Sequence, residues 1–111
     1  MKEKKAYRQG LELEPGVTRD LVAATEEYTI VRMHMKKGVA DPTHFHPHAQ
    51  ADYIVSGAAD MAYGDEVMSL KAGDCVEVKS NVPHGFKLVK EDMVVLEFFV
   101  PRRDDIVEFH S

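Results

Sequence analysis

The chain has 111 residues, 44% of them hydrophobic and 30% charged, with a net charge of −5 at neutral pH. That length holds one domain around one core, and the acidic balance argues against nucleic acid, whose binders cluster Lys and Arg. No apolar run approaches a membrane span, no signal-peptide pattern opens the chain, and a lone Cys75 fits a reducing cytoplasm without disulfides.

Short β-rich runs follow one another along the chain, and helical periodicity is scarce. Pro15-Gly16 marks a turn, which leaves residues 1–15 as an N-terminal extension, and Val17–Thr25 reads as the first strand. Tyr28–Lys36 alternates Val31, Met33 and Met35 against Arg32 and His34, the pattern of a half-buried strand, and Lys37-Gly38 ends it. Gln50–Ser56 is a further strand stopped by Gly57. Ala58–Tyr63 and Glu66–Leu70 flank Gly64-Asp65, a hairpin signal. After the turn Lys71–Asp74, Cys75–Lys79 alternates again. His84–Val89 and Met93–Val100 complete the series, joined by the polar turn Lys90-Glu91-Asp92. Residues 101–111 form a charged tail that covers one end of the domain or exits into solvent. So many short strands with turns between them predict an all-β sandwich or barrel.

The chemistry concentrates in GVADPTHFHPHAQADYIVSG, from Gly38 to Gly57. His44 and His46, two apart on an extended segment, project to the same side. Imidazole nitrogen is the commonest protein ligand for transition ions, so such a pair chelates. His84 follows Pro83 and opens another strand, with Phe86 and Leu88 expected on its face at the rim of an apolar interior. His34 and His110 read as isolated surface or core histidines. His48 is set apart from His46 by Pro47 and reads as a neighbour of the pocket rather than a ligand.

The spacing Gly38, His44-x-His46, Gln50, Gly57 resembles the first conserved motif of the cupin superfamily, in which glutamate is usual where Gln50 stands. Gly73-Asp74 through His84 resembles the second motif. Lys79 there replaces the usual proline and Asn81 the usual glycine, a position Asn tolerates because it accepts left-handed backbone angles. The resemblance implies a single-domain cupin, a double-stranded β-helix or jelly-roll barrel. It implies one divalent ion (Ni, Zn, Mn or Fe) held by His44, His46, Gln50 and His84, and a homodimer. A neutral amide in place of a carboxylate keeps the site near +2, which favours Lewis-acid chemistry and weakens the case for an iron oxygenase. Gln50 either ligates the ion or hydrogen-bonds a water on it.

HFHPHAQADYIVSG together with FFVPRRDDIV is similar to the small stand-alone cupins of pectin and alginate breakdown, the KdgF type. That likeness implies a three-His, one-Gln metal site and conversion of a cyclic unsaturated uronate into its linear ketone. It places an acidic residue, here Glu97, two before a phenylalanine, here Phe99, at the pocket. Read from the residues alone, Glu97 interrupts the apolar run VVLEFFV, so it is either a partnered carboxylate facing the interior or an outward residue paired with a lysine. The expectation is a metal-dependent isomerase or lyase acting on a small polar metabolite, with Glu97 as the proton-shuttling catalytic group. A metal-dependent dioxygenase and a non-catalytic ligand-binding module are the alternatives. Cys75 reads as a small core or near-pocket residue, and Tyr53 and Tyr63 as packing residues.

Overall fold

The computed structural model describes residues 6–111, and the opening basic stretch lies outside them. Seven strands and one short helix follow in order: β1 (Leu11–Glu14), β2 (Val17–Ala24), β3 (Thr29–Met35), β4 (Ala49–Tyr63), β5 (Glu66–Lys71), β6 (Cys75–Val78), β7 (His84–Val100) and α1 (Asp104–Phe109). Every strand pairing is antiparallel, in the order β1-β2-β3-β7-β4-β5, with β6 pairing the first part of β4. The architecture is all-β, as the turn spacing led us to expect, and it is consistent with the jelly roll that the motif resemblance implies. No helix among the described residues is long and apolar enough to cross a membrane.

Two expected breaks are instead bends within long strands. Gln50–Ser56 and Ala58–Tyr63 are one strand, β4, and Lys90–Asp92 lies inside β7 rather than in a turn. The reason is a set of bulges between these two strands, at Ser56/Ala58 and Ala58/Ala59 among other places. A bulge bends a strand without ending it, so glycine and polar residues mark curvature here, not termination. Gly57 sits at the bend with φ +86°, and a Cβ there would overlap the Asp92 carbonyl oxygen.

A further register shift pairs Asp60 with Leu88 but Met61 with Phe86. The one-residue slip inverts the alternation, so Leu88 does not share the inner face with His84 and Phe86. It is exposed, and Val89 is buried in its stead. Cys75 is likewise exposed, because inward positions on β6 fall to Val76 and Val78. Asn81 takes the left-handed conformation, φ 63°, as expected of its place before His84.

The core has two parts. One gathers Val17, Met35, Ile54, Met61, Phe86, Val89, Met93 and Val95; the other gathers Leu21, Val31, Phe99, Ile106 and Val107. The second includes two residues of α1, so the tail covers one end of the barrel. Residues 11–14, expected in an extension, form β1 against β2. The chain's two ends are clasped together: Arg8 donates from its guanidinium to the carbonyls of Phe109 (2.6 Å) and Ser111 (3.1 Å). His110 is fully buried and donates from Nδ1 to the Arg8 carbonyl at 2.6 Å, a satisfied core histidine.

Candidate metal centre

His44 and His46 lie in the loop that leads into β4, and His84 is the first residue of β7. The loop is held against β7 by its backbone: His44 N–H donates to the His84 carbonyl and His84 N–H to the His44 carbonyl, each at 2.9 Å. Asp41 N–H donates to the Phe86 carbonyl at 2.8 Å, and Asn81 N–H to the His46 carbonyl at 2.8 Å. Gly85 permits this approach, since a Cβ there would stand 3.0 Å from the Pro42 carbonyl oxygen. One ring nitrogen from each of His44, His46 and His84 falls within 4.8 Å of the others.

The ring orientations are fixed by backbone carbonyls. Nδ1 of His44 meets the Pro42 carbonyl at 3.1 Å, Nδ1 of His46 the His48 carbonyl at 3.0 Å, and Nδ1 of His84 the Val82 carbonyl at 2.8 Å. A carbonyl only accepts, so each Nδ1 carries the proton and each Nε2 presents a lone pair. His84 Nε2 is buried with no hydrogen-bond partner. Burial holds the imidazoles of His46 and His84 below their usual range, which keeps these rings neutral.

Gln50 is buried on β4 with its Oε1 2.9 Å from His46 Nε2. Two lone pairs at that separation repel unless a cation lies among them. Three imidazoles and an amide oxygen are an N/O donor set that suits a divalent transition ion. The residues present fit a metal, which His44, His46 and His84 could hold with Gln50 beside them. The ring of His48 stands 5.7 Å from that of His46, centroid to centroid, and lies outside the three-histidine cluster. His34 belongs to a different group, at 3.3 Å from Asp20 on the outer side of β2 and β3.

The cluster opens on a cavity of about 180 Å³ that Glu97 also lines, so this carboxyl faces inward and not toward a surface lysine. Burial raises its pKa well above the usual carboxylate range, and the negative charges of Asp52 and Asp41 add to the rise. Asp52 stands directly opposite Glu97 in the β4–β7 register. It is almost wholly buried, and burial pushes it up to about 7, against the hydrogen bond from Gln50. Two cations offset these acids on the cavity wall, Arg19 from β2 and Arg103 before α1. The Arg103 guanidinium packs over the Phe99 ring at 4.8 Å and pairs with both Asp105 oxygens, at 2.9 and 3.0 Å.

Asp41, Asp52, Arg19 and Arg103 were not among the site residues expected from the sequence. Two of them carried a usable signal: Asp52 is two residues after Gln50, on the same face of a strand, and Arg19 alternates with the inward Val17 and Leu21.

The family described as Cupin domain matches residues 31–100. The pectin degradation protein KdgF of Dickeya dadantii is 29% identical over 97 residues, which cover 86% of this chain and 88% of that protein. The structure of KdgF from Halomonas sp. superimposes with a TM-score of 0.82 at 30% identity, covering 92% of this chain and 93% of that one. An RmlC-like cupin from Shewanella frigidimarina gives a TM-score of 0.82 at 25% identity, covering 92% and 88%.

Proposed function

The chain belongs to the cupin family, and from that premise we propose that it is a metal-dependent enzyme that opens or isomerises a small anionic sugar acid, an unsaturated uronate. The observation that carries this reading is the shared cavity. His44 and His84 of the three-histidine cluster, Gln50, an inward carboxyl at Glu97 and the guanidiniums of Arg19 and Arg103 all line one small volume. The similarity to KdgF proteins along most of the chain favours the same substrate class.

A divalent ion at the histidine cluster would supply Lewis-acid polarisation of a substrate oxygen. The protein's own groups then divide the remaining work. Arg19 and Arg103 offer positive charge to a substrate carboxylate, and Arg's planar fork suits that group. Glu97, with its pKa raised, is suited to hold a proton near neutral pH and to give it up again. In the uronate, a proton leaves the anomeric hydroxyl as the bond from C1 to the ring oxygen breaks. An aldehyde and an enol result. A proton delivered to the enol carbon then gives the linear ketone, so the reaction is an isomerisation and needs no second substrate. Phe86 and Phe99 add apolar wall to the cavity in which this step would occur.

The test is to load purified protein with Ni²⁺, Zn²⁺, Mn²⁺ or Fe²⁺ in turn and supply an unsaturated uronate. Loss of the ultraviolet absorbance of the conjugated double bond faster than in buffer supports the reading. No acceleration with any ion, in protein shown to bind that ion, overturns it.

A further inference from the structure

The Gln50 amide has a close neighbour at each end and a hydrogen bond at one. Its Oε1 lies 2.9 Å from His46 Nε2, and its Nε2 donates to Asp52 Oδ1 at 2.8 Å. Both residues are buried, Gln50 at 7% and Asp52 at 1% exposure, and both project inward from β4 because they are two apart on the strand. An amide can turn end for end at almost no steric cost, so its orientation is decided by its partners. Asp52 accepts and His46 Nε2 has a lone pair. Asp52 Oδ1 is the acceptor that the NH₂ group reaches, at 2.8 Å, and this contact draws it away from the histidines.

We propose that Asp52 is a positioning residue that turns the Gln50 oxygen toward the histidine cluster, and that it is the reason position 50 carries an amide and not a carboxylate. The proposal rests on the reading of that cluster as a metal site and adds a residue to it. A glutamate placed at position 50 in the same conformation would set its second oxygen 2.8 Å from Asp52 Oδ1, oxygen against oxygen. With no proton or cation between them, two buried carboxylates at that distance repel. The glutamine is therefore the matched partner of Asp52: one end donates, the other offers oxygen to the ion. The remaining Asp52 oxygen, Oδ2, is buried without a hydrogen-bond partner, so the carboxylate is held in place chiefly by this one contact.

A matched pair of reversed polarity meets the same requirement. The double variant Q50E/D52N keeps one carboxylate between the two positions, and the introduced asparagine NH₂ donates where the glutamine NH₂ did. A double-mutant cycle therefore separates this role from a merely structural one. Dissociation constants for Zn²⁺ and Co²⁺ are measured by competition with a chelating dye for wild type, D52N, Q50E and the double variant. Folding is checked by circular dichroism, and Co²⁺ visible absorption reports the ligand set.

D52N, nearly the same shape, is expected to weaken binding roughly tenfold to a hundredfold, the usual effect of losing a group that orients a ligand, and to change the Co²⁺ spectrum. Q50E alone gains nothing, whereas the double variant binds at least about tenfold tighter than Q50E. Equal effects of Q50E on both backgrounds, with D52N unchanged in affinity and spectrum, would overturn the proposal. So would failure of a single variant to fold, if the double variant failed too, since the charge-matched pair is predicted to fold. Absence of metal binding by wild type, with all three histidines present, would instead sink the metal reading and this proposal with it.

Discussion

Arg19 Nε donates to His110 Nε2 at 3.0 Å, so a residue of the cavity wall is held by the last turn of the chain. The guanidinium also faces the Phe109 ring at 5.5 Å, and among the described residues it makes no ion pair within 4.0 Å. His110 thereby links two tasks. It closes the Arg8 clasp and it aims a positive charge at the cavity.

His110→Ala removes both hydrogen bonds and leaves a hole in a fully buried position. We expect a loss of about 2 kcal/mol, which corresponds to a melting temperature lower by roughly 8 °C in a domain of this size. Binding of a uronate should weaken as well, because Arg19 loses its tether. Calorimetry of unfolding and titration with galacturonate measure the two effects, and an unchanged melting temperature would show that the buried contacts contribute nothing.

His46→Ala should abolish stoichiometric metal binding, because His46 carries the ring between His84 and Gln50. His34→Ala should leave binding intact, since its ring contacts Asp20 on the other side of the sheet. Elemental analysis of the two purified variants decides the matter. Full metal content in the His46 variant contradicts the site.

Glu97→Gln separates chemistry from stability. Turnover should fall by roughly a hundredfold to ten-thousandfold while metal content is retained, because the amide keeps the shape but transfers no proton. The folded-state pKa of Glu97 is raised, so folding binds protons, and stability is lost as pH rises from the unfolded toward the folded value. In metal-free protein the Gln variant should therefore melt higher than wild type at pH 8. At about pH 3, below the unfolded value, the carboxyl is protonated in both states and the two should melt together. A variant less stable than wild type at pH 8 contradicts the buried, unpaired state of this carboxyl.

Asp20 gives the opposite sign. Burial alone would raise its pKa, but hydrogen bonds from Gly10 N–H, Arg32 and His34 hold it below the usual range. Its contribution is present above the unfolded value, about 4, and is lost as pH falls through the lower folded value. Asp20→Asn should lower the melting temperature by roughly 4 °C or more at pH 7. The difference should shrink steadily below pH 4. A constant difference across that range would show that the carboxylate's charge is not what stabilises the cluster.

The histidines were legible because their chemistry is local. His44, His46 and Gln50 sit within one short segment, and His84 is marked by Pro83 and the preceding turn. The strands were legible where alternation was strict, as in β3 and β6. What escaped was set by the bulges between β4 and β7. A one-residue slip is invisible in composition, yet it turned Leu88 outward and fused two pairs of expected strands into two long ones. Asp52 and Arg19 escaped for another reason. An inward charge on a strand looks like any other polar residue until the opposing strand brings a second charge beside it. Glu97 shows this directly: its facing direction is fixed by pairing with Asp52 on one side and Val31 on the other.

The sheet order β3-β7-β4 also governs when the site can exist. β7 lies between two strands that precede it by a long stretch of chain, with Met35 against Met93 and Ala49 against Val100. Pairings between such distant segments form slowly, on the order of milliseconds to seconds. On a ribosome, where about 5–20 residues are added each second, His44 and His46 emerge well before His84. The backbone pair that joins His44 to His84 closes only after β7 has cleared the exit tunnel. Metal capture at three histidines thus waits for β7, and a chain that has emerged only as far as β4 offers an ion a two-histidine chelate.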